Sequence, residues 1–173
     1  MRKKHIFSAG RAVFSYQGSM KESLYRFKYS NRREYAAFYA EEAVKVRGDW
    51  IRRCRVEAII PVPLHRKRRQ TRGYNQAEVF ARELGERMNL PVRADLVSRV
   101  KNTRPQKELN QADRQKNLKK AFIINRSIVQ LDRVLLVDDI YTTGSTVDAV
   151  AQALLDAGVK EIYVLCISIG GGC

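Results

Sequence analysis

The sequence predicts an α/β fold in which helices cover both faces of a mostly parallel, twisted sheet. Residues 134–137 and 162–169 are almost entirely apolar, as expected for strands buried on both faces and not for a half-exposed antiparallel sheet. Segments of helical composition separate the predicted strands, and this order favours parallel neighbours joined by helical crossovers.

The N-terminal part is predicted to hold one strand and two helices. Residues 12–16 suit a short strand, and Gly18 then opens a helical stretch that runs to about residue 29. A second helix, rich in Ala and Glu, is predicted over residues 34–47. We expect it to end at Gly48, because glycine commonly terminates helices.

The middle of the chain alternates between short strands and helices. Residues 56–60 form a short apolar strand that Pro61 and Pro63 end. Residues 75–88 have the spacing of an amphipathic helix, and the inward positions predicted for it are Val79, Leu84 and Met88. The remaining predictions are an extended segment over 96–100, a polar loop over 101–106, a helix over 111–119 and a strand over 121–124.

The C-terminal part is predicted to place a helix over residues 145–157, ended by Gly158, between the two apolar strands. Residues 170–173 are expected to form a frayed tail. We therefore treat residues 1–173 as a single domain, with an N-terminal strand and helices over about 1–50 and a core over 51–169.

Composition is that of an ordinary globular protein, with 45% hydrophobic and 29% charged residues. No apolar run approaches the roughly 20 residues that cross a bilayer, and no apolar segment follows the basic N-terminus as in a secretory signal. We therefore expect a cytoplasmic protein without membrane insertion. Three widely spaced cysteines and two histidines predict neither a disulfide framework nor a zinc site, and Cys166 is expected to be buried.

Charge is distributed unevenly along the chain, whose formal net charge is +15. Residues 134–173 contain one base and five acids, a net charge of −4, so residues 1–133 carry +19. A field of that sign attracts polyanions, either a phosphate-rich small molecule or nucleic acid. The alternative is a solvated basic surface that maintains solubility.

Asp138 and Asp139 follow the apolar strand over residues 134–137, at the edge of the sheet where open α/β folds bind ligands. Two adjacent carboxylates inside a buried strand would carry a large desolvation cost, so we expect them to reach solvent, a cation or hydrogen-bond donors. Vicinal sugar hydroxyls are suitable donors, because an ionised carboxylate only accepts.

A hydroxyl-rich loop follows the acids at the predicted start of a helix: Thr142, Thr143, Gly144, Ser145 and Thr146. Backbone N–H groups and the helix dipole favour an anion there, and Gly144 lets the backbone approach it closely. A ribose 5-phosphate would span the acids and this loop. The alternative is a plain strand–turn–helix with Thr143 or Ser145 as the N-cap. A nucleotide triphosphatase is excluded, because the sequence has no G-x-x-x-x-G-K-S/T loop.

The thirteen residues 134–146, VLLVDDIYTTGST, resemble the phosphoribosyl diphosphate (PRPP) motif of type I phosphoribosyltransferases. The resemblance implies that Asp138 and Asp139 hold the ribose hydroxyls and that residues 142–146 hold the 5-phosphate. It also implies that Mg²⁺, held mainly by PRPP itself, bridges the ribose and the pyrophosphate, and that a flexible flap covers the site.

Two further blocks are similar to the competence protein F (ComF) family within that class. One combines PVPLH over residues 61–65 with RGYNQ over 72–76, and the other comprises Thr103, Gln106, Leu109, Arg114, Asn117 and Phe122. By this resemblance Val62, Pro63, Leu64 and His65 form the pyrophosphate loop, and residues 101–117 lie in or beside the flap. Many members of the family begin with a four-cysteine zinc module, and this sequence contains none.

Five cations follow the predicted pyrophosphate loop: Arg66, Lys67, Arg68, Arg69 and Arg72. They could bind pyrophosphate, the backbone of single-stranded DNA, or only water. Tyr74 could stack on a nucleic-acid base or pack at the start of the following helix. His65 is either a turn residue that caps a neighbour or a catalytic group.

The resemblance implies phosphoribosyl transfer with release of pyrophosphate, linked to DNA uptake in natural transformation. Lys101 and Arg104 on the flap would then be the catalytic cations that meet the leaving pyrophosphate. The alternative is a non-catalytic, PRPP-responsive module that binds single-stranded DNA or a competence partner, such as a helicase or another DNA-uptake protein. No base-specificity element is recognisable, so the sequence leaves the acceptor open.

Overall fold

The computed structural model describes residues 5–100, 121–125 and 130–170. Its strands are β1 (Ala9–Ser15), β2 (Ala58–Pro61), β3 (Val97–Arg99), β4 (Phe122–Ile124), β5 (Arg133–Tyr141) and β6 (Glu161–Ile169). Its helices are α1 (Ser19–Tyr29), α2 (Tyr35–Cys54), α3 (Arg66–Arg72), α4 (Gln76–Met88) and α5 (Ser145–Asp156).

Four parallel strands form the main sheet, in the order β1-β6-β5-β2. β3 and β4 form a separate antiparallel pair. Helices α1 and α2 join β1 to β2 across the sheet, and α5 joins β5 to β6. The mostly parallel α/β fold predicted from the apolar strands is confirmed.

Helices cover both faces of the sheet, and each face has its own apolar core. On one face α1, α2 and α4 pack against the strands through side chains that include the fully buried Tyr39 and Phe80. On the other face α5 and the β3–β4 pair pack through side chains that include Val150 and Phe122. Cys166 is buried in this second core, as predicted.

Helix α2 continues past Gly48 to Cys54, so the predicted end at Gly48 is wrong. A glycine inside a helix costs about 1 kcal/mol relative to alanine. The turns after Gly48 bury Ile51 and Cys54, and burial of one large aliphatic side chain contributes about 1.5–3 kcal/mol. Burial therefore outweighs propensity, and the helix ends at Cys54, followed by the C-cap Arg55, whose backbone is left-handed with φ 50°.

Helix α4 buries Leu84 completely, as predicted, whereas Val79 and Met88 are only partly buried. The predicted loop over 101–106, the helix over 111–119 and residues 171–173 of the tail lie outside the described residues. Among the helices that the structure describes, none is both long enough and apolar enough to cross a membrane.

Candidate functional site at the carboxyl edge of the sheet

The loops after β2 and β5 leave the same edge of the sheet, and the loop after β2 begins beside the ribose acids, Asp138 and Asp139. Pro61 lies opposite Val137 in the parallel pairing, and the amide of Val62 donates to the Val137 carbonyl over 2.9 Å. The pyrophosphate loop (residues 62–65) therefore starts next to those acids. The phosphate loop (residues 142–146) follows the end of β5. Parallel α/β sheets bind ligands at this edge.

Asp138 and Asp139 lie inside β5, which runs to Tyr141, so the prediction that the strand ends before them is wrong. Pairing with β6 continues to Tyr141 and holds this segment extended. Because side chains alternate along a strand, the two carboxylates point to opposite faces of the sheet. Asp138 faces the core that contains α5, and Asp139 faces α1.

Each of the two carboxylates is stabilised differently. Asp139 Oδ2 lies 2.8 Å from Nζ of Lys28 in α1, and both side chains are only 16% exposed. Asp138 Oδ1 accepts a hydrogen bond from the Asp139 amide at 2.8 Å. Burial and then the charge of Asp139 raise the pKa of Asp138 to about 8, against the opposing effects of the Asp139 amide hydrogen bond, Lys28 and Arg99. The desolvation cost expected from the sequence is thus lowered by an ion pair on one acid and by proton uptake on the other.

Gly144 is the N-cap of α5 and adopts φ 72°, a left-handed conformation that glycine tolerates. The N-cap is therefore Gly144 and not Thr143 or Ser145, the residues named in the alternative. Thr143 Oγ1 nevertheless accepts from the Ser145 amide at 3.5 Å and lies 3.0 Å from the Ser145 hydroxyl. Thr142 and Thr143 are exposed, and Ser145 and Thr146 are partly exposed. Hydroxyls therefore surround a helix N-terminus, where N–H groups favour an anion.

A polar cluster of Tyr141, His5 and Asp148 lies behind the phosphate loop. The Tyr141 hydroxyl is 3.1 Å from His5 Nε2, and His5 Nδ1 is 3.3 Å from Asp148 Oδ1. A Cβ atom on Gly144 would collide with the Tyr141 hydroxyl. The cluster thus packs against the loop and restricts residue 144 to glycine. This cluster could not be predicted from the sequence, because His5 lies far from the motif along the chain.

The pyrophosphate loop is anchored at both ends. The Val62 carbonyl accepts from Nδ2 of Asn75 over 3.0 Å, and Asn75 is itself the N-cap of α4. His65 Nδ1 accepts from the Lys67 amide at 3.3 Å and caps α3, which is the capping alternative considered for this histidine. Pro63 and Leu64 between these anchors are partly exposed.

The cations after this loop lie on α3, a seven-residue helix with no buried residue. Consecutive helical residues are about 100° apart, so these side chains point in several directions. Arg66, Lys67 and Arg68 are exposed, and Arg69 lies 3.4 Å from Glu78. At least the first three can therefore meet a polyanion in solution.

Tyr74 packs inside the protein and does not offer its ring to a base. It is 4% exposed, its hydroxyl donates to the Phe27 carbonyl, and the Arg33 guanidinium lies 4.8 Å from its ring centroid. The assignment of Tyr74 as a nucleic-acid candidate is therefore wrong, because packing at the start of α4 buries the ring and leaves no face accessible to a base.

Tyr25 and Tyr29 form an exposed aromatic pair on α1 instead. They are 62% and 55% exposed, and their ring centroids lie 4.9 Å apart. The guanidinium of Arg72 lies 4.9 Å from the Tyr29 ring and donates to its hydroxyl at 3.0 Å. Exposed rings beside cations can stack on bases and neutralise phosphates. The sequence did not reveal this pair, because helical periodicity around Phe27 did not indicate which ring is buried.

The predicted catalytic cations Lys101 and Arg104 lie outside the described residues.

A family model described as the phosphoribosyl transferase domain matches residues 70–169, which is more than half of the chain and includes β5 and the phosphate loop. The chain belongs to the phosphoribosyl transferase domain family.

Curated relatives place this phosphoribosyl transferase domain in the ComF family, as the motif blocks predicted. Competence protein F of Haemophilus influenzae is 44% identical over 110 residues, which cover 62% of this chain and 48% of that protein. DNA utilization protein YhgH of Escherichia coli is 35% identical over 111 residues, 64% of this chain and 48% of that protein. Competence protein ComFC of Streptococcus pneumoniae is 28% identical over 164 residues, 92% of this chain and 68% of that protein. The match thus spans about half the length of the first two relatives.

Proposed function

We propose that this domain binds PRPP with Mg²⁺ and transfers its phosphoribosyl group to a nitrogen acceptor, with release of pyrophosphate. The observation that carries the proposal is the convergence of the ribose acids, the phosphate loop and the pyrophosphate loop at one edge of the sheet. Ribose, 5-phosphate and pyrophosphate are the three parts of PRPP, so one elongated ligand would occupy all three elements.

The ribose acids also suit the metal that the family resemblance implies. Mg²⁺ prefers oxygen ligands and commonly binds through one or two carboxylates together with substrate phosphates. Asp138 and Asp139 supply such oxygens at the ribose position. When bound, the ion would neutralise charge that develops on the departing pyrophosphate.

The chain itself would act mainly through positioning. In the transfer, a bond forms between the acceptor nitrogen and ribose C1, while the bond from C1 to the pyrophosphate oxygen breaks. The phosphate loop would hold one end of the ligand and the pyrophosphate loop the other, which aligns C1 for attack. Lys101 and Arg104 are proposed to stabilise the negative charge of the leaving group.

The test is Mg²⁺-dependent release of pyrophosphate from PRPP, measured with a panel of nucleobases and without acceptor. Asp138→Asn combined with Asp139→Asn should weaken PRPP binding at least about tenfold in calorimetry, because charge-assisted hydrogen bonds to the ribose are lost. Asp156→Asn is the control, since Asp156 pairs with Gln152 on the exposed side of α5. Unchanged affinity in the double variant would contradict the ribose assignment.

The same assay distinguishes a phosphoribosyltransferase from a non-catalytic, PRPP-responsive module. If transfer occurs, Lys101→Ala with Arg104→Ala should lower the turnover rate more than PRPP affinity, since contacts to developing charge act in the transition state. Tight PRPP binding without pyrophosphate release for any acceptor would favour the non-catalytic, PRPP-responsive module.

We also propose that the chain binds single-stranded DNA, in line with the names of its competence and DNA utilization relatives. The observation that favours this is the exposed Tyr25–Tyr29 pair beside Arg72. A protein partner in DNA uptake, such as a helicase, is proposed from the family resemblance alone.

Base stacking by this pair has a direct test. Tyr25→Leu with Tyr29→Leu should weaken binding to an oligonucleotide about tenfold, since stacking contributes about 1–3 kcal/mol per base. Phe38→Leu, at another exposed aromatic residue (52% exposed), is the control. Equal effects of both changes in fluorescence anisotropy would argue against a stacking site on α1.

A further inference from the structure

Lys28 reaches the ribose acids from outside the PRPP motif. Its Nζ lies 2.8 Å from Oδ2 of Asp139, and both side chains are 16% exposed. In the other ion pairs recorded between described residues, at least one partner is 33% exposed or more. A surface pair contributes little to stability, and a buried one is costly unless its geometry is good. Because this pair is buried at the proposed ligand site, we looked to ligand binding for its role.

The last turn of α1 also contacts the end of α3 and the turn after it, in the segment that follows the pyrophosphate loop. The Phe27 carbonyl accepts from the Tyr74 hydroxyl, and the Tyr29 hydroxyl accepts from Arg72. Both partners belong to the end of α3 and the turn after it, and α3 begins at its N-cap His65, the last residue of the pyrophosphate loop. Lys28 thus lies on a turn that connects Asp139 with the segment that follows the pyrophosphate loop.

We propose that Lys28 binds the pyrophosphate group of PRPP at the C1 end of the ribose while it orients Asp139. The inference rests on the proposed function, because it assigns a further ligand-binding residue to that same site. An ammonium group has three donors, so one can stay on Asp139 Oδ2 while the others turn to phosphate oxygens. Without ligand, Lys28 neutralises an acid; with PRPP, it adds a cation beside a diphosphate.

The test uses ligands that differ in the pyrophosphate group. Calorimetry with the full chain would compare PRPP with Mg²⁺, ribose 5-phosphate, and inorganic pyrophosphate with Mg²⁺. We expect Lys28→Met to weaken PRPP and pyrophosphate binding at least about tenfold, and ribose 5-phosphate less than about threefold, since a hydrogen bond to a charged group is lost only in the first two. Lys28→Arg keeps the charge and should preserve most of the preference for PRPP.

Lys21→Met is the matched control on the same helix. Lys21 is exposed, and its Nζ lies 5.8 Å from the Tyr16 ring centroid, so its loss should leave all three affinities unchanged. Equal weakening of PRPP and ribose 5-phosphate by Lys28→Met would overturn the inference, because Lys28 would then act only through Asp139. A lower melting temperature with unchanged affinities would also overturn it. If the wild-type chain binds neither sugar phosphate, the proposed function itself fails.

Discussion

Asp138 is subject to opposing influences at the proposed ribose site. Burial and the neighbouring Asp139 raise its pKa to about 8, while the cations Lys28 and Arg99 act in the other direction. The unliganded protein therefore favours the protonated form of this carboxyl more than an ordinary aspartate would, whereas Asp139 is paired with an ammonium group. A protonated carboxyl can donate as well as accept, so the two acids offer a ribose different hydrogen-bonding partners.

We expect Asp138 to lower the stability of the protein as pH rises. Its folded pKa lies above the unfolded value of about 3.9, so the folded state binds more protons between the two values. The free energy of unfolding then falls from about pH 4 to about pH 8. Asp138→Asn removes this contribution, so its stability relative to wild type should rise from about pH 4 to about pH 8 in chemical denaturation. A pH-independent difference between the two proteins would show that the pKa is not raised.

Gly144→Val should abolish binding of ribose 5-phosphate. The residue has φ 72° and its Cβ would collide with the Tyr141 hydroxyl, so a β-branched side chain distorts the phosphate loop and blocks close approach of the ligand. Gly158→Val is the matched control at the other end of α5: φ is 104°, with nothing within 4 Å of its Cβ. The control should lose stability but keep ligand binding. Retained affinity in Gly144→Val would contradict the phosphate-loop assignment.

At the scale of elements, two buried glycines inside helices have different surroundings. A Cβ on Gly48 of α2 would lie 3.4 Å from a terminal nitrogen of Arg52, which is the end of a flexible, exposed side chain. A Cβ on Gly85 of α4 would lie 2.7 Å from the Leu90 carbonyl oxygen and 2.7 Å from Val92. Close packing of backbone therefore requires glycine in α4, whereas α2 only tolerates it.

Gly48→Ala should raise the free energy of unfolding by about 0.5–1 kcal/mol, because alanine loses less backbone entropy in a helix. Gly85→Ala should lower it by roughly 1–3 kcal/mol through overpacking. Urea denaturation of both variants measures these two changes in the free energy of unfolding. Destabilisation by Gly48→Ala would show that α2 also needs a close approach at this position.

At the scale of the whole molecule, charge is the dominant feature. The net charge of +15 favours association with any polyanion, and α3 carries a dense set of exposed cations with no buried residue. Such binding is expected to be weak, with little sequence preference and a steep dependence on salt, since phosphate contacts release counterions.

Charge reversal on α3 tests whether DNA binding is localised. Changing Arg66, Lys67, Arg68 and Arg69 to Glu should weaken binding to single-stranded DNA most and reduce its salt dependence. The control reverses four exposed arginines elsewhere: Arg52, Arg53, Arg55 and Arg82. Both variants have the same net charge, so equal losses would indicate only a general field effect. An affinity that is flat between low and physiological salt would contradict the electrostatic account.

Features that depend on neighbours along the chain could be predicted from the sequence. Apolar runs identified β5 and β6, because a strand buried on both faces needs uniformly apolar residues. The ribose acids and the phosphate loop are contiguous with β5, so strand, turn and helix start could be recognised together. Helix α5 ends at Asp156, one residue before the predicted end at 157, and Gly158 follows with φ 104°.

Contacts between residues far apart along the chain depend on tertiary packing. Pairing with β6 extends β5 through Asp138 and Asp139, since backbone hydrogen bonds form whatever the side chain. Packing of α1 places Lys28 beside Asp139. It also buries Tyr74, whose hydroxyl donates to the Phe27 carbonyl, and leaves Tyr29 exposed. These contacts, and the raised pKa of Asp138, depend on burial and on charges far apart along the chain. The local periodicity of the sequence predicts neither burial nor distant charges, because it reflects the geometry of one helix or strand and not the elements that pack against it.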